Sequence, residues 1–99
     1  MEFEVIEHDD VISIAVAGDI NPYTSKSFKD ALFEIIETGN KNITLDFSRA
    51  DYMDSSGIGS LISLYKIQSK RGKKLLISKA NEDINNFIRL AGLSDLIAG

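Results

Sequence analysis

Between an apolar alternating run (Ile43, Leu45, Phe47) and a segment of helical periodicity (Leu61, Ile62, Tyr65) stands Met53-Asp54-Ser55-Ser56-Gly57-Ile58-Gly59. A change of apolar period from two to nearly four across so few residues reads as a buried strand turning into a helix, which points to a sheet whose strands alternate with helices. At such turns the helix N-terminus offers unpaired backbone N–H groups and a partial positive charge, and this end of the strands is where ligands and partners are met. Two hydroxyls lie there side by side. One is expected to cap the helix by accepting from an N–H two or three residues on, which frees the other to project outward. Ser56 is read as the cap and Ser55 as the free hydroxyl.

The rest of the chain repeats this alternation. Phe3 and Val5, the polar cluster Glu7-His8-Asp9-Asp10, then Ile12, Ile14 and Val16 on one face read as a strand, a turn and a strand. Asn21 is a good cap for a first helix and Pro22 suits its first position; Phe28, Ala31, Leu32, Ile35 and Ile36 form one apolar face, ended by Gly39. A third strand covers Ile43 to Phe47. The helix after the central turn shows Ile58, Leu61, Ile62 and Tyr65 on one face, widened by Leu64 and Ile67, and stops at Lys70-Arg71-Gly72. Leu75-Leu76-Ile77 reads as a buried strand. Asn81 caps a third helix with Ile84, Phe87, Ile88 and Ala91 inward and Gly92 at its end, and Leu96-Ile97 is a candidate last strand. The expectation is an α/β fold in one domain, residues 1–99, with a mixed sheet of four or five strands, an opening antiparallel hairpin and about three helices.

Composition narrows the function. Eleven basic against 15 acidic residues give a net charge of −4, which disfavours a direct nucleic-acid binder. No apolar run approaches the roughly 20 residues of a membrane span, cysteine is absent, and the start Met1-Glu2-Phe3-Glu4 is unlike a signal peptide. The expectation is a cytoplasmic protein without membrane contact, cofactor or metal. Asp46, Asp51 and Asp54 match no calcium loop and read as solvated acids; Gly57 and Gly59 lack the third glycine of a dinucleotide fingerprint, since position 62 is Ile. A Ser-His hydrolase fares poorly, because the one histidine, His8, falls in the opening turn and no Gly-x-Ser-x-Gly elbow exists, so no enzyme is expected. The bland reading of Ser55 and Ser56 is a pair of alternative helix caps.

Leu45-Asp46-Phe47-Ser48, then Met53-Asp54-Ser55-Ser56-Gly57-Ile58-Gly59, together with Gly18-Asp19-Ile20 before the first helix and Gly92-Leu93 after the third, closely resemble the STAS domains of bacterial anti-sigma factor antagonists. The similarity spans essentially the whole chain, and its most specific part is the Asp-Ser-Ser-Gly turn. The resemblance implies phosphorylation at Ser55 by an anti-sigma factor that is itself a serine kinase, and reversal by a metal-dependent serine phosphatase. It further implies that the unphosphorylated protein binds the anti-sigma factor and releases the sigma factor. The partner surface would comprise Asp54, Ser55, Ser56, Gly57 and Ile58 with Asp19, Ile20, Asn21 and Tyr23 of the preceding loop. Asn21 stands where antagonists often carry an acid. A second reading keeps the fold and changes the partner, since STAS-like domains also serve as subunits of lipid-transport ATPase complexes and of stress-sensing assemblies.

Overall fold

Alternating Ile12, Ile14 and Val16 bury one face of a strand and leave Ser13 exposed on the other, and the neighbouring strands follow the same rule. The computed structural model describes residues 1–98 and orders them as β1 (Glu2–His8), β2 (Val11–Ala17), α1 (Ser25–Gly39), β3 (Asn42–Arg49), α2 (Ser55–Lys70), β4 (Leu75–Lys79) and α3 (Glu82–Leu90), with a 3-10 turn at Ser94–Leu96. The strands lie in the order β1-β2-β3-β4. β1 and β2 pair antiparallel from Glu2 opposite Ala17 to His8 opposite Val11, with Asp9 at φ 53 in the left-handed region of the turn. β2, β3 and β4 are mutually parallel, as helical crossovers require. The opening hairpin, the mixed sheet and the three helices are as expected from the sequence.

The core joins the inward strand residues, Ile12, Ile14, Val16, Ile43, Leu45, Phe47, Leu75 and Ile77, to Phe28, Leu32 and Ile36 of α1, Leu61 and Leu64 of α2, and Ile84 and Ile88 of α3. Phe28 meets Phe47 with ring centroids 6.0 Å apart and a tilt of 48°, a favourable aromatic arrangement. The other sheet face is the more polar one: Ser13 and Thr44 share a hydrogen bond of 2.9 Å across adjacent strands. β1 is an edge strand, and Glu2, Glu4 and Glu7 give it the charge that discourages pairing with another chain.

Several local expectations need correction. Among the described residues there is no fifth strand: Ser94–Leu96 winds into a 3-10 turn, and Ile97 makes one parallel bridge to Ile77, closed by Ala98 N–H donating to the Ile77 carbonyl at 2.9 Å. α1 begins at Ser25 rather than after Asn21. The Asn21 side chain instead accepts from the N–H groups of Tyr23 and Thr24 at 2.9 and 3.2 Å, forming a separate tight turn ahead of the helix. Asn40, at φ 49, takes the left-handed stop of α1, while Gly39 stays helical because its bare Cα lies against Ile12. α2 turns Gly57, Ser60, Leu61, Leu64 and Gln68 inward, so Tyr65 is exposed and Ile62 only half-buried; the apolar pattern was ambiguous because small and amide residues complete the inward stripe. Ala91 is exposed, since α3 ends at Leu90 and the chain has left the inward face. Gln68, fully buried, donates to the carbonyls of Lys41 and Lys74 at 2.9 Å each and so ties the starts of β3 and β4 together.

Phe47→Ala removes a fully buried ring at the centre of this core and is expected to lower unfolding free energy by about 3–5 kcal/mol in urea denaturation. A loss below about 1 kcal/mol would mean that the surrounding side chains collapse into the space and that the Phe28–Phe47 contact does not anchor the fold.

Candidate functional site

At the C-terminal end of β3 the chain leaves the sheet, passes Ala50 to Met53 and enters α2. Asp46, near that end and within β3, accepts from the Ser48 N–H at 2.8 Å, and its bonds to Ser48 hold its carboxyl below the usual carboxylate range, the nearby Lys79 adding to the effect. Asp54 is the N-cap of α2, in extended backbone conformation, and its Oδ1 accepts from the Ser56 N–H at 2.9 Å. The Ser56 hydroxyl donates to the same oxygen. Ser56 is therefore not the cap, as the sequence reading had it. The carboxylate two positions earlier in the turn reaches the orphan N–H first, and the hydroxyl of Ser56, half-buried, is committed to the cap instead. Ser55 is the first helical residue. It is exposed, and its hydroxyl has no hydrogen-bond partner among the described residues.

The turn is held from behind by the loop before α1. Ile20 N–H donates to the Tyr52 carbonyl at 2.9 Å and Asp54 N–H donates to the Ile20 carbonyl at 3.1 Å, which makes a single parallel bridge between Ile20 and Met53. Gly18 allows the approach: at φ 108 it takes a conformation that side chains disfavour, and its N–H donates to the Arg49 carbonyl at 3.3 Å. Ile20 and Met53 are buried, and α2 settles on them through Gly57, where an added Cβ would lie 2.6 Å from Met53 Cγ and 2.8 Å from Ile20 Cγ2. Ile20, Gly57 and Ile58, expected in the contact surface, are buried and form the floor of the site. Asp19, Tyr23 and Ser55 are exposed; Tyr23 is 93% accessible, which leaves its whole ring free. Asn21 is half-buried and occupied by its own turn.

The surroundings are electrically lopsided. On the α1 side a groove of about 270 Å³ is lined by Ser25, Lys26, Lys29, Ser56, Gly59 and Ser60. Lys26 is ion-paired with Asp30 at 2.6 Å, and that carboxylate raises its ammonium pKa, whereas Lys29 is in no ion pair among the described residues. On the other side the loop ahead of Asp54 faces the start of α3 across a cavity that carries Asp51, Tyr52, Asp83 and Phe87. Sequence reasoning missed the last two: Phe87 reads from the sequence only as a core position, and nothing in the spacing brings Asp83 or any other part of α3 to the turn. His8 lies at the far end of the sheet, because the register that sets Ala17 beside Arg49 sets His8 opposite Val11. No imidazole can reach Ser55. An exposed, unengaged hydroxyl at a helix start, on a rigid base, is suited to carry a group that another protein adds or reads.

Gly57→Val is expected to lower the melting temperature by several degrees and to weaken partner binding, because the new side chain must displace Met53 and Ile20. Gly59→Ala, two residues on and with open space at its Cβ, is expected to be neutral or to stabilise by up to about 1 kcal/mol. Equal melting temperatures for the two variants would contradict this account of Gly57.

A STAS domain family model matches residues 2–98. An anti-sigma-B factor antagonist of Staphylococcus epidermidis is 28% identical over 97 residues, covering 98% of this chain and 90% of the relative. One from Listeria monocytogenes is 31% identical over 98 residues, covering 98% and 86%. Among solved structures, the anti-sigma factor antagonist SpoIIAA in its unphosphorylated form superposes with a TM-score of 0.84 at 16% identity, covering 98% of this chain and 86% of that one. The phosphorylated form of SpoIIAA, a Bacillus cell fate determinant, superposes at 0.76 with the same identity, covering 98% and 89%. With the fold, the turn and the family match in agreement, this chain belongs to the STAS domain family.

Proposed function

We propose that the chain is an anti-sigma factor antagonist, a cytoplasmic binding module of one domain and not an enzyme, whose unphosphorylated form binds an anti-sigma factor and releases the sigma factor. Ser55 is the switch: the anti-sigma factor, acting as a serine kinase, phosphorylates it, and a metal-dependent phosphatase restores the hydroxyl. The observation that carries this reading is the division of labour in the turn. The Ser56 hydroxyl is held by Asp54, while the Ser55 hydroxyl is exposed and uncommitted beside it. The names of the Staphylococcus and Listeria relatives support the same function.

The physical effect of phosphate follows from the site. Phosphoserine adds about −1.5 to −2 charges and three acceptor oxygens, which a helix N-terminus tolerates, so the cost falls on the partner's surface. Asp54 beside it adds like charge. A swing from 99% bound to 99% free requires about 5.5 kcal/mol. Repulsion between partly solvated charges supplies a fraction of that, and steric exclusion from a surface shaped around a bare hydroxyl supplies the remainder. Asp19, Tyr23 and Asp54, exposed or half-exposed around Ser55, are the contacts proposed for the partner, and Ser56 takes part through the cap.

Incubation with candidate kinases and ATP, followed by tandem mass spectrometry, is expected to place stoichiometric phosphate on Ser55 and none on Ser56; modification chiefly at Ser56 would reverse the assignment, and no modification by any kinase would favour a STAS subunit of a transport or stress-sensing assembly. Affinity for the anti-sigma factor is expected to rank Ser55→Ala near wild type, Ser55→Asp weaker and phosphoserine weakest, because one carboxylate supplies only part of the phosphate's charge and bulk. Calorimetry at two salt concentrations separates the components: salt narrows the differences that arise from exposed charge and leaves those that arise from exclusion.

A further inference from the structure

A cavity of about 360 Å³ opens between the loop Asp51–Asp54 and the first turns of α3. Its floor is apolar, made by Met53 and Ile84, both buried. Tyr52, 52% exposed, and the half-buried Phe87 bring aromatic rings to it, and Asp51, Asp54 and Asp83 bring carboxylates. Among the described residues, no lysine or arginine lines it. None of the three carboxylates joins an ion pair among the described residues; the pairs that exist lie at His8–Asp9, Lys26–Asp30, Lys41–Glu7, around Arg49 and at Arg71–Glu37. Asp54 gives one oxygen to the helix cap, which leaves the other for a second donor.

A recess that combines aromatic rings, an apolar floor and uncompensated carboxylates complements a cation that is flat and weakly hydrated. Of the two basic side chains, a guanidinium stacks on a ring while its N–H groups reach two carboxylates at once, whereas an ammonium is a strongly hydrated point charge that gains less from the ring. Asp54 belongs both to this cavity and to the switch turn, so the recess is continuous with the proposed partner surface. We propose that the cavity receives an arginine side chain of the anti-sigma partner and thereby fixes how that partner sits over Ser55. The identity of the partner rests on the function proposed above; the preference of the recess for arginine does not. Ser55 lines neither this cavity nor the lysine groove, so anchor and switch are separable. Loss of the anchor weakens docking of the unphosphorylated form and leaves the ratio between unphosphorylated and phosphorylated affinities unchanged.

Two experiments test this. In the first, N-acetyl-arginine amide, N-acetyl-lysine amide and N-acetyl-citrulline amide are titrated into the isotope-labelled full chain. Saturable amide shifts are expected at Asp51 to Asp54, Asp83, Ile84 and Phe87, tightest for arginine by about threefold over lysine and absent for citrulline. They should vanish in Asp51→Asn/Asp83→Asn, and Phe87→Leu, which keeps an apolar side chain against the core, should weaken them. No saturable shift, equal shifts with citrulline, or shifts spread over the surface would overturn the proposal. In the second, Asp51→Asn/Asp83→Asn is expected to bind the anti-sigma kinase about tenfold more weakly and to raise its KM for Ser55 phosphorylation with kcat retained, while Lys26→Gln/Lys29→Gln binds as wild type. Unchanged affinity in the acid variant would overturn the anchor. Failure of the wild-type chain to bind any anti-sigma factor would remove the functional reading instead, and the arginine titration would still decide the recess.

Discussion

Two backbone hydrogen bonds, from Ile20 N–H to Tyr52 and from Asp54 N–H to Ile20, tie the loop after β2 to the loop after β3. Everything at the candidate site depends on them. They seat Ile20 and Met53 side by side below the turn, and that apolar pair is the surface on which Gly57 lets α2 rest. With α2 so placed, Asp54 falls at the cap position and Ser55 at the first exposed position. Each bond is individually worth about 1 kcal/mol, but both are formed where two parallel strands deliver their loops to the same end of the sheet, so the sheet pays the ordering cost in advance. The serine proposed as the switch thus stands on a base assembled by the fold rather than on a free loop.

The second feature of the turn is the unequal treatment of two adjacent serines. Ser56 supplies its N–H and its hydroxyl to one oxygen of Asp54, and these bonds fix the start of the helix. Ser55 supplies neither packing nor a side-chain bond to that start. Chemistry at Ser55 therefore need not uncap α2, whereas the same chemistry at Ser56 would break the cap. A modification site that is energetically detached from the fold can be turned on and off without cycles of unfolding, and its effect must be exerted on whatever docks there. The carboxylates toward α3 give that docking surface a direction.

Much of this was legible in the sequence, for identifiable reasons. Period-two runs such as Ile12-Ile14-Val16 and the face Phe28-Leu32-Ile36 revealed strands and a helix because burial on one side leaves a direct pattern. Asn81 and Gly92 were legible at α3 because cap and stop obey local rules. The errors came where two local rules competed. Asp54 and Ser56 are both good cap residues, and only geometry shows the carboxylate winning. Asn21 and Pro22 satisfy a helix start and equally a tight turn, and the side-chain bonds to Tyr23 and Thr24 select the turn. Gly39 and Asn40 are both able to stop a helix; packing against Ile12 holds the glycine inside. The buried role of Ile20 and the approach of Asp83 and Phe87 to the turn are long-range facts, and no spacing within one segment encodes them.

The central claim is that modification of Ser55 acts at the surface and leaves the fold beneath it unmoved. The direct measurement is a comparison of backbone amide shifts and hydrogen-exchange protection in the unmodified and Ser55-phosphorylated chains. Shifts confined to the stretch from Asp51 to Gly59 and to the loop from Gly18 to Tyr23, with protection of Leu45, Phe47 and Ile77 unchanged, are the result this account requires. Shifts that run through β2, β3 and β4, or a loss of protection in the core strands, would contradict it and make the switch conformational.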